Sequence, residues 1–306
     1  MNLKAQVPLC CCCCSLLHII FALLIALNFA FISNSHFSLA MDSCSKSLLD
    51  SVAPFNCLIF DLDDTLYSSK VGISEALKKN IDDFLVEKCG FSESKASTFR
   101  VELFKKYGSS LAGLRALGYD IDADDYHSFV HGRLPYDLIK PDSQLRNLLR
   151  SITQRKIIFT NSDRTHAVKV LDRLGLRDCF EQILCFETMN PNLPNSTRPD
   201  EFPVLLKPSM DAMKIALDVA DVDPRRTLFL DDNVKNVAAG KALGLRTVLV
   251  GKTVKSKEAD YALENVNNLA QVIPEIWVNG MDGGDQRISR SKSEIESILA
   301  ITAVVA

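Results

Sequence analysis

Between residue 55 and about residue 250, short apolar runs rich in β-branched and aromatic residues alternate with stretches of helical spacing. That alternation is the pattern of a parallel sheet covered by helices. Strands are expected from Cys57 to Phe60, Lys156 to Thr160, Gln182 to Cys185, Thr227 to Leu230 and Arg246 to Val250. In THAVKVLDRLGL, Ala167, Val168, Leu171 and Leu174 recur on one helical face and Gly175 supplies the stop. In NVKNVAAGKALGL, Val234, Val237 and Ala238 are the expected inward positions, with Gly244 closing the helix.

One interval breaks the alternation. Almost a hundred residues separate the first two strands, and they read as helices from Ala76 to Cys89, Ser94 to Tyr107, Ser110 to Leu117 and Asp124 to Gly132. With apolar positions of its own (Leu77, Ile81, Phe84, Leu85, Phe99, Leu103, Phe104), this insertion is a second small domain and not a loop. ETMNPNLPNSTRPDEFP carries no periodicity and reads as a surface loop. The expected organisation is a hydrophobic segment over 1–45, an α/β core from 46–67 and 142–279, a helical insertion over 68–141 and a tail over 280–306 with a short helical pattern on Ile295, Ile298 and Leu299.

Composition narrows the possible roles. The 306 residues are 47% apolar and 24% charged, and the formal net charge of −3 gives no reason to expect a nucleic-acid partner. Cys10 to Cys14 form an unbroken block, whereas Cys44, Cys57, Cys89, Cys179 and Cys185 stand singly, without the paired spacing of a zinc site. Isolated thiols in apolar runs read as small core residues of a reduced, intracellular protein.

Leu9 to Ile32 is long enough to span roughly 36 Å as a helix. Used as an anchor or signal, with Ser38-Leu39-Ala40 as a cleavage site, it would put the globular part on the non-cytoplasmic side. Palmitoylation of the cysteine block would accompany an anchor. Translation from Met41 would instead give a cytoplasmic domain with nothing missing, and this is the reading we favour. A membrane is a partner only if residues 9–32 act as an anchor.

Four polar clusters each follow an apolar strand or open the helix after one. Asp61 and Asp63 follow CLIF; Thr160 and Asn161 end KIIFTN; Asp231 and Asp232 end TLFLDD; Lys207 precedes the helix SMDAMKIAL. In an open parallel sheet the carboxyl ends of the strands share one edge, so groups far apart in sequence converge there. Converged, Asp61, Asp63 and Asp232 offer hard oxygen ligands for Mg²⁺, and Lys207 and Thr160 offer donors for an anion such as phosphate. An Asp carboxylate attacking phosphorus forms an aspartyl-phosphate once cations cancel the repulsion. Two carboxylates as near as Asp61 and Asp63 take different roles, one attacking while ionised and one holding a proton. The five histidines follow no nucleophile or metal pattern, although His127 and His131 stand four apart on one expected helix.

These residues resemble the haloacid dehalogenase superfamily of hydrolases. The first motif, DxDxT, stands as Asp61-Leu62-Asp63-Asp64-Thr65, and Thr160, Lys207 and Asp231-Asp232 supply the other three, over residues 55 to 255. The resemblance implies a Rossmann-like core with a helical cap inserted after the first motif. It implies Asp61 as nucleophile, Asp63 as general acid and base, and Thr160, Asn161 and Lys207 as phosphate ligands. Mg²⁺ would be held by Asp61, the backbone carbonyl of Asp63 and Asp232, with Asp231 beside it. The second Asp, Asp63, favours phosphate chemistry over carbon–halide cleavage, which needs no proton donor.

Within that superfamily KKYGSSLAGL and DDYHSFVHGRLPYDLIKPD resemble the cap of the pyrimidine 5'-nucleotidase-like proteins of fungi and plants. That narrower resemblance implies nucleoside monophosphates such as UMP or CMP as substrates. It sets Tyr107 to Ser109 and His131 to Pro135 near base or sugar. Other small phosphate esters, a phosphomutase reaction, or a non-catalytic binding role are the alternatives.

Overall fold

The computed structural model describes residues 54–193, 203–254 and 256–277. The expected anchor or signal segment with its cysteine block, Cys44, Met41, most of the Pro/Asn-rich loop and the C-terminal helical pattern lie outside the described residues.

Six parallel strands form one sheet in the order β3-β2-β1-β4-β5-β6. They are β1 (Cys57–Phe60), β2 (Arg155–Phe159), β3 (Gln182–Leu184), β4 (Thr227–Asp231), β5 (Arg246–Val250) and β6 (Tyr261–Leu263). The first five match the apolar runs. The three-residue β6 was not anticipated, because a strand that short shows no periodicity of its own.

Side chains alternate across the sheet, so both faces of β1 are buried in different cores. Leu58 and Phe60 join Ile158, Leu228 and Leu230 on one face, against α5 (Ser143–Ser151) and α6 (Arg164–Leu174). Cys57 and Ile59 join Ile157, Phe159 and Phe229 on the other, against α8 (Met210–Ala220) and α9 (Val234–Ala242). Asp142, Asp163 and Asn233 cap α5, α6 and α9 by accepting the N–H groups of Leu145, His166 and Lys235.

Helix α9 sits rotated from its expected face. Val234 is exposed and Ala238 only half-buried, while Asn236, Val237, Ala239 and Gly240 face inward. Asn236 turns inward because its amide donates to the carboxylate of Asp231, and Gly240 follows because a Cβ there would lie 2.8 Å from the Phe229 ring. On α6 a similar small shift leaves Val168 half-buried and buries Val170.

Between β1 and β2 stand α1 (Ile73–Glu87), α2 (Glu93–Tyr107), α3 (Ser110–Ala116) and α4 (Ala123–Gly132). They enclose a core of Phe84, Leu85, Leu103, Leu111, Leu114 and Tyr126, which Phe186, Leu193 and Leu206 from beyond β3 complete. Phe186 opens the short α7 (Phe186–Met189), so the surface loop begins later than its composition suggested. Cys57, Cys179 and Cys185 are buried and Cys89 half-buried, all as free thiols, and burial pushes Cys57 up to about 12 and Cys185 up to about 11. Among the described residues no helix is long and apolar enough to cross a membrane.

Candidate active site

The register of the sheet decides which side chains meet. Phe60 pairs with Ile158 on one side and Leu230 on the other, so Asp61, Thr160 and Asp231-Asp232 emerge from three adjacent strands along one edge. The N–H of Asp61 still donates to the Leu230 carbonyl at 2.8 Å, and that of Thr160 to Leu184 at 2.9 Å, so both side chains leave from firmly paired backbone.

Lys207 reaches this edge from the segment before α8. Its Nζ lies 2.8 Å from Asp61 Oδ1, 2.8 Å from Asp231 Oδ2 and 2.7 Å from the Phe159 carbonyl. Its backbone is clamped by Asn161, whose side-chain oxygen accepts the Lys207 N–H at 2.8 Å and whose amide donates to the Lys207 carbonyl at 3.0 Å. Thr65 donates to Asp61 Oδ2 at 2.7 Å and accepts the N–H of Asp232 at 3.2 Å, joining the first strand's loop to the fourth's. Asp64 occupies the left-handed region at φ 59° and accepts from Ser74 at 2.6 Å, as a turn residue does.

Asp63 lies in a different environment. Its Oδ1 accepts from the Tyr67 hydroxyl at 2.6 Å and lies 2.8 Å from His166 Nε2, while Oδ2 accepts from Ser162 at 2.8 Å. Burial pushes its acidity the other way, yet His166, Tyr67 and Ser162 together hold the carboxyl below the usual carboxylate range. Burial likewise opposes the charge on His166, and Asp63 nonetheless holds that imidazole above its ordinary value.

Asp61 moves in the opposite direction. Burial pushes it up to about 8 against the pull of Lys207, with Asp231 and Asp232 adding repulsion. Burial and Asp231 push Asp232 up to about 7. Lys207 stays above its ordinary value, because Asp231 and Asp61 outweigh the cost of burying its charge. The two carboxylates therefore lie in opposite electrostatic environments. With the charges that the chain itself supplies, however, Asp63 is the one held ionised, because an imidazole and two hydroxyls face it while three carboxylates compete for one ammonium.

Asp61, Asp231 and Asp232 each offer an oxygen within 4.8 Å of the others. Two buried carboxylates and a half-buried one, with excess negative charge, fit a small divalent cation. The Asp63 side chain is turned to Tyr67, Ser162 and His166.

Thr160 and Asn161 line a polar cavity of about 210 Å³ together with Asp61, Asp63, His166, Lys207 and Asp232. Ser74, Leu77, Asn161 and Ser162 also line a cavity of about 580 Å³ that runs into the insertion past Arg100, Ser109, Tyr126, His127 and His131. Of the expected base and sugar positions, Gly108, Ser109 and His131 line it.

His166, Tyr67, Ser162 and Asn236 are contacts that spacing alone did not single out. The signal for two of them was present: Ser162 and His166 lie on the turn and first helical residues after β2, at the same sheet edge that singled out Thr160.

The sequence profile of the haloacid dehalogenase-like hydrolases matches residues 55–244. Phosphate metabolism protein 8 of Saccharomyces cerevisiae is 27% identical over 199 residues, covering 62% of this chain and 60% of the yeast protein. Pyrophosphatase PpaX of Bacillus pumilus is 22% identical over 232 residues, covering 71% of this chain and 96% of its own. Among solved structures, CbbY from Rhodobacter sphaeroides in complex with phosphate aligns with a TM-score of 0.48 at 18% identity, covering 70% of this chain and 96% of its own. The profile spans the β1 carboxylates, Lys207 and the β4 carboxylates, and on it the chain belongs to the haloacid dehalogenase-like hydrolases.

Proposed function

We propose that the chain is a Mg²⁺-dependent phosphomonoesterase working through an aspartyl-phosphate on Asp61, with pyrimidine nucleoside monophosphates such as UMP and CMP as substrates. The observation that carries this reading is the pairing of the two cavities. A small polar one surrounds Asp61, Lys207 and Thr160, and a larger one, sharing four lining residues with it, offers a ring the faces of Leu77, Ile81, Tyr126 and Phe186. Its volume of about 580 Å³ falls in the range of small-molecule sites, roughly 300 to 1,000 Å³.

In this reading the phosphoryl group lies in the small cavity against Thr160, Asn161 and Lys207. Asp61 attacks phosphorus. As the P–O bond to the alcohol breaks, its electron pair stays on the alcohol oxygen, which takes a proton from Asp63, the carboxyl that the negative charge of the bound phosphate returns to its neutral form. In the second step the Asp63 carboxylate takes a proton from the water that attacks the aspartyl-phosphate, releasing phosphate and restoring Asp61. Asp61, Asp232, Asp231 and the Asp63 carbonyl would hold Mg²⁺, which would supply positive charge that lets a carboxylate approach a phosphate. Lys207 supplies the chain's own share of that charge. Residues 68–141 serve as the cap that keeps bulk water from the acyl phosphate.

The test is a panel of nucleotides, sugar phosphates and cofactor phosphates with purified protein, with and without chelator. We expect phosphate release fastest from UMP or CMP and lost on chelation. Release from sugar phosphates alone would overturn the substrate assignment, and undiminished release in chelator would overturn the metal assignment. Activation by a bisphosphate with little phosphate freed would identify a mutase instead.

A further inference from the structure

His166 is 1% exposed, it lies on the first turn of α6, and its Nε2 stands 2.8 Å from Asp63 Oδ1. Nothing in the chemistry proposed above employs it. Its ring is fixed on the far side as well, since Nδ1 lies 2.9 Å from the hydroxyl of Tyr136, near the end of the insertion. The first turn that carries His166 is itself held by Asp163, which accepts the His166 N–H at 3.2 Å and pairs through its other oxygen with His131 of α4. The Tyr136 hydroxyl also lies 3.2 Å from the His131 carbonyl.

These contacts form one connected path. It runs from Asp63 through the His166 ring to Tyr136, and through the first turn of α6 and Asp163 to His131 in the insertion. A carboxylate side chain has two soft torsions, and an acid must hold its oxygen within about 0.5 Å of the productive place to act. Three donors with rigid anchors remove that freedom. Of the three, the imidazole is the one tied to the insertion.

We infer that His166 is the positioning residue for Asp63, fixing the carboxyl group that protonates the leaving alcohol and linking its orientation to the seating of α4. This rests on the reading of Asp63 as the acid. It names no new group in contact with substrate. It makes a residue outside the four motifs necessary for one half of the chemistry, the half that depends on the leaving group.

The dependence on the leaving group supplies the test. A nucleoside leaves as a basic alkoxide and needs the proton, whereas p-nitrophenolate leaves without one. First-turnover release of uridine from UMP and of p-nitrophenol from p-nitrophenyl phosphate is measured for the parent, Asp63→Asn, His166→Asn and His166→Gln. Glutamine places an amide nitrogen where Nε2 stands, and asparagine is too short to do so.

We expect the UMP-to-aryl rate ratio to fall about a hundredfold in Asp63→Asn, within the span of general acid catalysis. It should fall about tenfold in His166→Asn and recover to within about threefold of the parent in His166→Gln, as a donor lost and regained predicts. If Asp63→Asn slows both esters equally, Asp63 is not the acid and that reading fails. If Asp63→Asn is selective while His166→Asn slows both equally, His166 supports only the fold and the inference is overturned.

Discussion

The ammonium of Lys207 lies 2.8 Å from Asp61 Oδ1, with both side chains nearly enclosed. The same nitrogen is 2.8 Å from Asp231, and Asp232 adds a third carboxylate oxygen to the group. One positive charge therefore holds together a set whose own charges oppose folding. Stability and turnover respond differently as each member is removed.

Lys207→Met removes that charge and leaves the carboxylates buried against one another. Breaking a buried pair from one side costs about 3 to 5 kcal/mol. We expect a loss of that order in urea unfolding with chelator present. Added Mg²⁺ should stabilise the variant by more than it stabilises the parent. Equal Mg²⁺ shifts in both would show that Lys207 and the cation do not share this charge.

Asp61→Asn acts in the opposite sense on stability. It removes one of the repelling carboxylates while keeping shape, and the amide still meets Thr65. Phosphate release should fall by about 10³ or more, near 4 kcal/mol of barrier. The melting temperature in chelator should hold or rise. Appreciable turnover would remove Asp61 as nucleophile, and a lower melting temperature would contradict the repulsion inferred here.

The sheet was legible in the sequence because each buried parallel strand is a continuous apolar run, and CLIF, KIIF and TLFL all appear in one sheet as paired neighbours. The edge where their carboxyl ends meet was legible for the same reason. What the sequence did not show is the orientation of side chains once there. Asp63 could not be assigned to Tyr67, Ser162 and His166 from spacing, because two of those partners lie 99 and 103 residues away and depend on how α6 is capped. The rotation of α9 was hidden likewise, since it follows from one amide, Asn236, reaching Asp231.

Gly113 shows how tightly the insertion is packed. A Cβ there would lie 2.6 Å from Leu103 Cδ2 and 2.9 Å from a Tyr107 ring carbon, so α2 and α3 approach as closely as they do because this position has no side chain. Gly113→Val should cost about 1 to 3 kcal/mol, the usual range for overpacking. Urea unfolding checks it. A variant as stable as the parent would mean that Leu103 and Tyr107 have room to yield.

His127 sets a limit on acid stability. It is 7% exposed, stacked on His131 at 5.5 Å and edge-on to Phe186 at 4.5 Å, and its Nδ1 is buried without a hydrogen-bond partner. Burial, with His131 adding repulsion, pushes the imidazole down to about 4. An unfolded chain takes up a proton at this residue near pH 6.5, whereas the folded one stays neutral until about 4. Between those values the unfolded state binds more protons, so stability is full above pH 6.5 and falls as the pH drops toward 4. Across the whole window the loss is on the order of 3 kcal/mol. His131 is also pushed down by burial and contributes with the same sign, so His127→Phe should make the decline shallower without abolishing it. Denaturant midpoints at a series of pH values from 7.5 to 4.5 measure the slope. A variant with the parent's slope would show that the ring at 127 takes up its proton equally in both states.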